Sequence, residues 1–286
     1  MKEKNKIEGA TLYLVATPIG NLADLSERAR KALTEVDLVA AEDTRNTRAL
    51  LAHFDIHTEL MSYHEHNKHT RGPELIARLL AGASVALVTD AGMPAISDPG
   101  EDLVRLCAEA GVTVTCVPGG TAAVTALALS ALPTGRFAVE GFLPADKKER
   151  RRRLDVLRTE ERTVILYEAP HRLEKTLSEL YDALGDRRLS LCRELTKLNE
   201  EIVRTTLGSA LTWAKGTEIR GEFVLVLAGA EAREERDGWE ALSPAEHVAA
   251  YEAEGMPRME AIKAAAKERG VAKSILYKML QTDGEA

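Results

Sequence analysis

The chain has three cysteines in 286 residues, Cys107, Cys116 and Cys192, and no two of them have the CxxC spacing of a metal or redox pair. With no disulfide framework, a hydrophobic core must hold the fold. At 45% hydrophobic residues the length suffices for two compact domains, with the cysteines as small core residues in a reducing compartment. Long apolar runs are missing too. The polar start, Met1 to Lys6, is not followed by a signal-type or membrane-spanning stretch, so the expected location is the cytoplasm. There is no excess of positive charge. A net charge of -7 excludes a generic nucleic-acid coat, although an enzyme of nucleic acid needs only a local basic face.

From Thr11 to about Ser130, short β-branched runs alternate with amphipathic helical patterns, which predicts strands joined by crossover helices in a largely parallel sheet. Strands are expected at 12–16, 37–41, 60–62, 85–89 and 112–117. Helices are expected at 44–53, 73–81 and 101–110, the last two stopped by Gly82 and Gly111. Pro133-Thr134-Gly135 breaks the pattern, and further strands are expected at 137–141, 163–167, 189–193, 202–207 and 223–228. The link from Arg193 to Glu201 is too short for a parallel crossover, so this second sheet should be mixed. A charged stretch, 231–237, then leads to three short helices starting at Ser243, Pro257 and about Lys273, with helix-turn-helix spacing. The expected domains are 11–132, 133–230 and a small helical module at 243–281.

In parallel α/β sheets the ligand sits beyond the carboxyl ends of the strands. Four such ends stand out: Thr17-Pro18-Ile19-Gly20-Asn21, Thr89-Asp90-Ala91-Gly92-Met93-Pro94, Pro118-Gly119-Gly120-Thr121-Ala122 and Tyr167-Glu168-Ala169-Pro170-His171-Arg172. Glycine lets the backbone approach a ligand and proline stiffens the turn, so the first three together predict a pocket lined by main chain. Glu42 stands about 20 residues beyond Gly20, where a dinucleotide fold places its ribose-binding acid. The first turn is not GxGxxG, however, and Pro18 interrupts the amide cradle a pyrophosphate needs, which argues against a nicotinamide or flavin cofactor.

With Val15 to Leu22, Ala41-Glu42-Asp43-Thr44-Arg45, the run Asp90 to Gly100, Val117-Pro118-Gly119 and Tyr167 to Arg172, the chain from about Thr11 to Ala230 resembles the tetrapyrrole-methylase superfamily. Within that superfamily it is most similar to the group acting on small-subunit ribosomal RNA. Corrin and porphyrin methylases usually carry a GxGxGD-like first loop, and this chain does not. The resemblance implies two α/β domains with S-adenosylmethionine in the cleft between them. It also implies a homodimer that methylates a cytidine ribose 2'-hydroxyl in the decoding region of 16S ribosomal RNA. By motif position, the implied cofactor contacts are Ile19, Gly20, Asp90, Met93, Thr121, Ala122 and Tyr167.

Methyl transfer to a ribose hydroxyl is an in-line displacement in which the enzyme aligns the oxygen and takes its proton, with no need of a metal. Candidate bases are Glu42, Asp43, Glu168, Glu194 and Lys197, with Glu42, Glu168 and Lys197 foremost as catalytic residues. Asp43 and Arg45, at the head of a helix, read either as a cap or as contacts to ribose and phosphate, Arg45 above all. The basic run Lys147 to Arg153, with Arg151 as its representative, is expected to meet RNA phosphate, extended by Arg193, Lys197 and Arg204. His64, His66 and His69 lack the partners of a tetrahedral metal site and read as a solvated loop near the substrate. Lys263, Lys267, Arg269, Lys273 and Lys278 are candidate RNA contacts in the small module, and Ser97 to Gly100 reads as the start of a helix. Two other readings stay open: a methylase of a tetrapyrrole or other small molecule, and a non-catalytic RNA-binding or assembly protein on the same scaffold.

Overall fold

A computed structural model describes residues 6–96, 98–230 and 242–282. They belong to two compact units, Met1–Ala230 and Glu231–Ala286. The charged stretch 231–237 and Ser97 lie outside the described residues.

The first sheet comprises β1 (Thr11–Val15), β2 (Leu38–Ala41), β3 (Leu60–Ser62), β4 (Ser84–Val88) and β5 (Thr113–Val117), in the order β3-β2-β4-β1-β5. Every pairing is parallel. The strand alternation sorts its side chains cleanly. Tyr13, Val15, Val39 and Val88 meet α1 (Glu27–Glu35) and α2 (Thr44–His53), whereas Leu12, Leu38, Val85 and Leu87 meet α3 (Lys68–Leu80) and α4 (Gly100–Glu109). Leu75, Leu79 and Leu103 are fully buried on the second of these faces, and truncating any one to alanine costs about 2–5 kcal/mol.

Helix α3 starts five residues earlier than the sequence suggested, so Pro73 lies inside it rather than at its head. Asn67 makes the earlier start possible. Its side-chain oxygen accepts from the His64 amide at 2.8 Å and its amide nitrogen donates to the Ser62 carbonyl at 3.1 Å, which folds the histidine loop into the turn leading to the helix. Pro73 is the sixth residue of the helix, so its missing N–H removes one ladder bond, the one to the His69 carbonyl.

The second sheet comprises β6 (Phe137–Phe142), β7 (Thr163–Glu168), β8 (Arg188–Arg193), β9 (Glu201–Thr206) and β10 (Phe223–Leu227), in the order β6-β7-β10-β8-β9. It is mixed: β6 and β7 are parallel, and the remaining pairs are antiparallel. One face packs on α6 (Lys147–Leu157), α7 (Pro170–Leu184) and α8 (Leu207–Lys215), and the other on the single helix α5 (Ala122–Leu129). In the parallel pair, a bulge between Val139 and Gly141 shifts the register by one residue. The shift puts Phe142, instead of Gly141, on the face shared by Phe137, Val139 and Tyr167.

In the second unit, α9 (Pro244–Ala253), α10 (Arg258–Glu268) and α11 (Lys273–Thr282) pack around Val248, Tyr251, Ile262 and Leu276. Ser243 closes a capping box with Glu246 at the head of α9. Among the described residues, no helix is long and apolar enough to cross a membrane.

Candidate active site

The order β3-β2-β4-β1-β5 has its reversal between β4 and β1: from β1 the chain passes to β2 on one side, and from β4 it passes to β5 on the other. Loops leaving these two strands diverge to opposite faces, and the crevice between them is where parallel α/β folds bind ligands. Here the two loops are tied at their base. The amide of Thr17 donates to the Gly92 carbonyl at 2.9 Å and the Gly92 amide returns to the Thr17 carbonyl at 3.1 Å. Beside this bridge lies a cavity of about 310 Å³ walled by Thr17, Pro18 and Gly20 from the first loop, Thr89 and Asp90 from the β4 loop, and the flank of α2.

The acids at this edge have distinct surroundings. Glu42, just past β2, accepts a hydrogen bond from the Thr89 hydroxyl at 2.8 Å through one carboxylate oxygen. Asp90 accepts from the Asn46 amide at 3.0 Å. Asp43 caps α2 by accepting from the Arg45 amide at 2.8 Å, and the Arg45 guanidinium closes back on it at 2.7 Å. Those hydrogen bonds from Arg45 hold the Asp43 carboxyl down at about 2, so Asp43 stays ionised and takes up no proton near neutrality. Behind them, Asp98 accepts from the amides of Gly100 and Ala95 at 2.6 and 3.0 Å and leaves its second oxygen buried without a partner among the described residues. Burial pushes the Asp98 carboxyl upward against those amides, and the charge of Glu42 adds to the push.

The second sheet reaches the crevice through residues 194–197, where Glu194 and Thr196 adopt positive φ of 51° and 64°. This kinked turn lays the Lys197 side chain on the first loop: a Cβ built on Gly20 would stand 2.6 Å from Lys197 Cγ and 3.0 Å from the Leu195 carbonyl. The Lys197 ammonium donates to Glu222 at 2.8 Å and to Glu194 at 3.0 Å. Burial pulls its pKa down, but the hydrogen bonds to the two carboxylates outweigh it and the net shift is upward. Lys197 is therefore a fixed positive charge at neutral pH and has no free pair with which to act as a base.

A third group gathers where α5 begins. Gly92, Gly120 and Thr121 close around Ile19, whose methyl would lie 3.3 Å from a Cβ on Gly92. Ile19, Ala122 and Tyr167 pack on the cluster under α5, and burial pushes the Tyr167 phenol upward while the Ala123 amide bonds it. Met93 turns toward Cys116, with the sulfurs 3.9 Å apart.

Of the residues expected from the sequence, Gly20 and Asp90 line the cavity, with Lys197 packed against Gly20 and Glu42 behind Thr89, and Ile19, Thr121, Ala122 and Tyr167 meet beside the start of α5. Glu168 stands apart from both. Alternation along β7 turns it away from Tyr167 into the face covered by α7, where it is 2% exposed and accepts from Thr176 Oγ1 at 2.5 Å and the Ala169 amide at 2.9 Å. A carboxylate so enclosed has no route to a substrate hydroxyl, and its visible work is to anchor α7.

Among the basic residues, Arg150 is buried against Thr176 and Glu179, and Arg153 pairs with Glu140, whereas Lys147, Lys148, Arg151 and Arg152 are exposed. The expected extension of this run is spent on internal contacts: Arg193 donates to the Arg220 carbonyl and Arg204 to the Leu129 carbonyl. In the small module, Arg269 likewise donates to His247 and to the Leu242 carbonyl. Thr89 and Asp98 were named only as parts of the β4 loop, and Asn46 was not foreseen. Asn46 neighbours a residue that was, and position beyond a strand end was the signal that could have found it.

Comparison with known proteins supplies independent bearings. The profile of the tetrapyrrole (corrin/porphyrin) methylases matches residues 11–211. A protein of Halalkalibacterium halodurans named ribosomal RNA small subunit methyltransferase I is 52% identical over 93% of this chain and 93% of its own. One of the same name from Bacillus subtilis is 46% identical over 97% and 96%. Among solved structures, uroporphyrin-III C-methyltransferase of Thermus thermophilus complexed with S-adenosyl homocysteine aligns over 76% of this chain and 97% of that one, with a TM-score of 0.54 at 20% identity. That likeness is one of fold.

Proposed function

This chain belongs to the tetrapyrrole methylase family, and from that premise we propose that it is an S-adenosylmethionine-dependent methyltransferase of 16S ribosomal RNA, acting on the ribose 2'-hydroxyl of a cytidine in the decoding region. The observation that carries the reading is likeness along nearly the whole length to relatives named for small-subunit ribosomal RNA, at 46–52% identity. It favours RNA over a tetrapyrrole, since likeness to the uroporphyrin enzyme is confined to the fold at 20% identity.

The residues present fit the cofactor. Gly20 and Asp90 wall an open cavity, Ile19, Met93 and Tyr167 offer apolar surface beside it, and Asp90 offers a carboxylate for a cationic or hydroxyl-bearing part. Thr121 and Ala122 complete the set of residues assigned to it. When bound, S-adenosylmethionine supplies a methyl group made electrophilic by its sulfonium charge.

Glu42 is the base in this reading. One of its oxygens is held by Thr89, which orients the other to accept the ribose hydroxyl proton as the oxygen attacks. Lys197 contributes charge rather than proton transfer, fixed between Glu194 and Glu222 and packed on Gly20. Arg45, its side chain 86% exposed and steadied by Asp43, and Arg151 on the outer face of α6 meet phosphate. Arg193, spent on Arg220 and Glu201, is not assigned a substrate contact.

A homodimer belongs to the same proposal and has a candidate face. Helix α5 carries no charged residue and exposes Val124, and Phe137, Val139 and Phe142 lie bare on the same side of the second sheet. A monomeric mass at equilibrium sedimentation removes that part.

The test of the function is methyl transfer from labelled cofactor with 16S RNA and a tetrapyrrole offered separately. RNA alone should be labelled, and Glu42→Gln should lower turnover by about 10²–10⁴ while leaving cofactor affinity near that of the parent. Label on the tetrapyrrole overturns the substrate, and full activity of E42Q overturns the base.

A further inference from the structure

Helix α2 has two lined sides. Asn46, Thr47, Ala49 and Leu50 face the crevice cavity, and Thr44 and Arg48 face a second cavity of about 340 Å³. The other walls of this second cavity are the edge strand β3, ending in Ser62, and α3 with Arg71, Glu74 and Arg78. Three guanidiniums line it, against Glu74 in the wall and Glu59 beside Arg78, which leaves a net positive charge centred on Arg48 in a chain whose overall charge is -7.

Two of the arginines are steadied in place. Arg71 donates to Glu74 at 2.6 Å, and Arg78 reaches Glu59 at 3.1 Å and Glu74 at 3.6 Å. Arg48 is exposed and has no hydrogen-bond or ion-pair partner for its side chain among the described residues. A guanidinium presents five donors in a planar fork that matches a phosphate bidentately, so an unpaired one beside two that are held makes a receptor for oxyanions. Arg71 and Arg78 are seven residues apart on one face of α3, about 10 Å along its axis. The positive charge is thus drawn out along a line, which suits a chain of phosphodiesters better than one small anion.

The placement is equally specific. All strands of the first sheet are parallel, so Ser62 at the end of β3 and Thr44 beyond β2 lie on the same carboxyl edge as the crevice, with α2 as the shared wall. We propose that Arg48, Arg71 and Arg78 hold backbone phosphates of the RNA strand that flanks the methylated nucleotide. The proposal rests on the reading of RNA as substrate.

Arg48→Gln and Arg78→Gln test it. Affinity of the full chain for a decoding-region fragment of 16S RNA is measured across a salt series, and affinity for S-adenosylmethionine by calorimetry. Each variant should bind the RNA about 5- to 10-fold more weakly at low salt and lose about 0.7–0.9 from the slope of log K against log salt, the value of one phosphate contact. Cofactor affinity should not move, and Arg48→Lys should recover most of the slope. RNA affinity and slope equal to the parent's in both variants overturn the site. If inorganic phosphate titrates the parent to saturation and the variants keep full RNA affinity, the cavity is a small-anion site and the proposal falls. A parent that neither binds nor methylates the fragment refutes the functional reading instead, so the two failures are separable.

Discussion

Gly20→Ala probes the place where the two halves of the crevice touch. The new Cβ would stand 2.6 Å from Lys197 Cγ and 3.0 Å from both Lys197 Cε and the Leu195 carbonyl oxygen. Carbon atoms prefer about 3.5–4.0 Å, so the 195–197 turn would have to retreat by about 1 Å. The lysine cannot simply swing aside, because its ammonium is held by Glu194 and Glu222 and the clash is near the base of the side chain. Alanine must also adopt φ of 153°, a conformation open to glycine and strained for other residues. Backbone strain of about 1–3 kcal/mol and overpacking of similar size relieve each other in part, for a net cost of roughly 2–4 kcal/mol. In a unit of this size that lowers Tm by roughly 4–16 °C. Thermal unfolding and calorimetric titration with S-adenosylmethionine are the assays, and the cofactor should bind at least about tenfold more weakly, equivalent to 1.4 kcal/mol. The double variant G20A/K197A removes the nearest obstruction but keeps the strained φ and the carbonyl contact, so it should regain part of the lost Tm. A Tm and an affinity equal to the parent's in G20A, or no coupling between the two sites, would refute the contact as described.

Further outcomes follow from the same geometry. Glu168→Gln should destabilise the chain by about 1.5–3 kcal/mol through the weakened hydrogen bonds to Thr176 and Ala169, with turnover per folded molecule unchanged; a folded E168Q that has lost turnover returns Glu168 to the catalytic set. Asp90→Ala should weaken cofactor binding without unfolding the first sheet, and unchanged calorimetric affinity moves the cofactor site elsewhere. Asp37 has its carboxyl depressed by the Ser84 amide and hydroxyl, each at 2.7 Å. A depressed carboxylate contributes stability that is present above its unfolded value of about 3.9 and disappears as pH falls through the lower folded value. Urea denaturation should therefore show Asp37→Asn less stable than the parent at pH 6, with the gap closing as pH falls below the unfolded value, and a gap independent of pH contradicts the assignment.

Much of the site could be read in the sequence because a parallel sheet places function just after its strands: position singled out the segments that hold Gly20, Asp90 and Thr121, and the resemblance assigned those residues to the cofactor. Glu168 was expected just past a strand but is the last residue of β7, where alternation sends it to the opposite face from Tyr167. The basic run was overcounted for a similar reason. Arg150, Leu154 and Leu157 recur at helical spacing on the buried stripe of α6, a pattern visible in the sequence once the period is applied to charged residues as well as apolar ones. Contacts such as Lys197 on Gly20 join segments far apart in the chain, and no local pattern encodes them. The second cavity was missed because Arg48, Arg71 and Arg78 are scattered through two helices and converge only when α2 and α3 flank β3.

The most direct test of the central claim is to incubate the protein with methyl-labelled S-adenosylmethionine and 30S subunits from cells lacking the modification, then map the label at nucleotide resolution. The account predicts one labelled cytidine in the decoding region of 16S RNA, with the methyl group on its ribose 2'-oxygen. Label on a base, or subunits that stay unlabelled while the protein binds its cofactor, would contradict it.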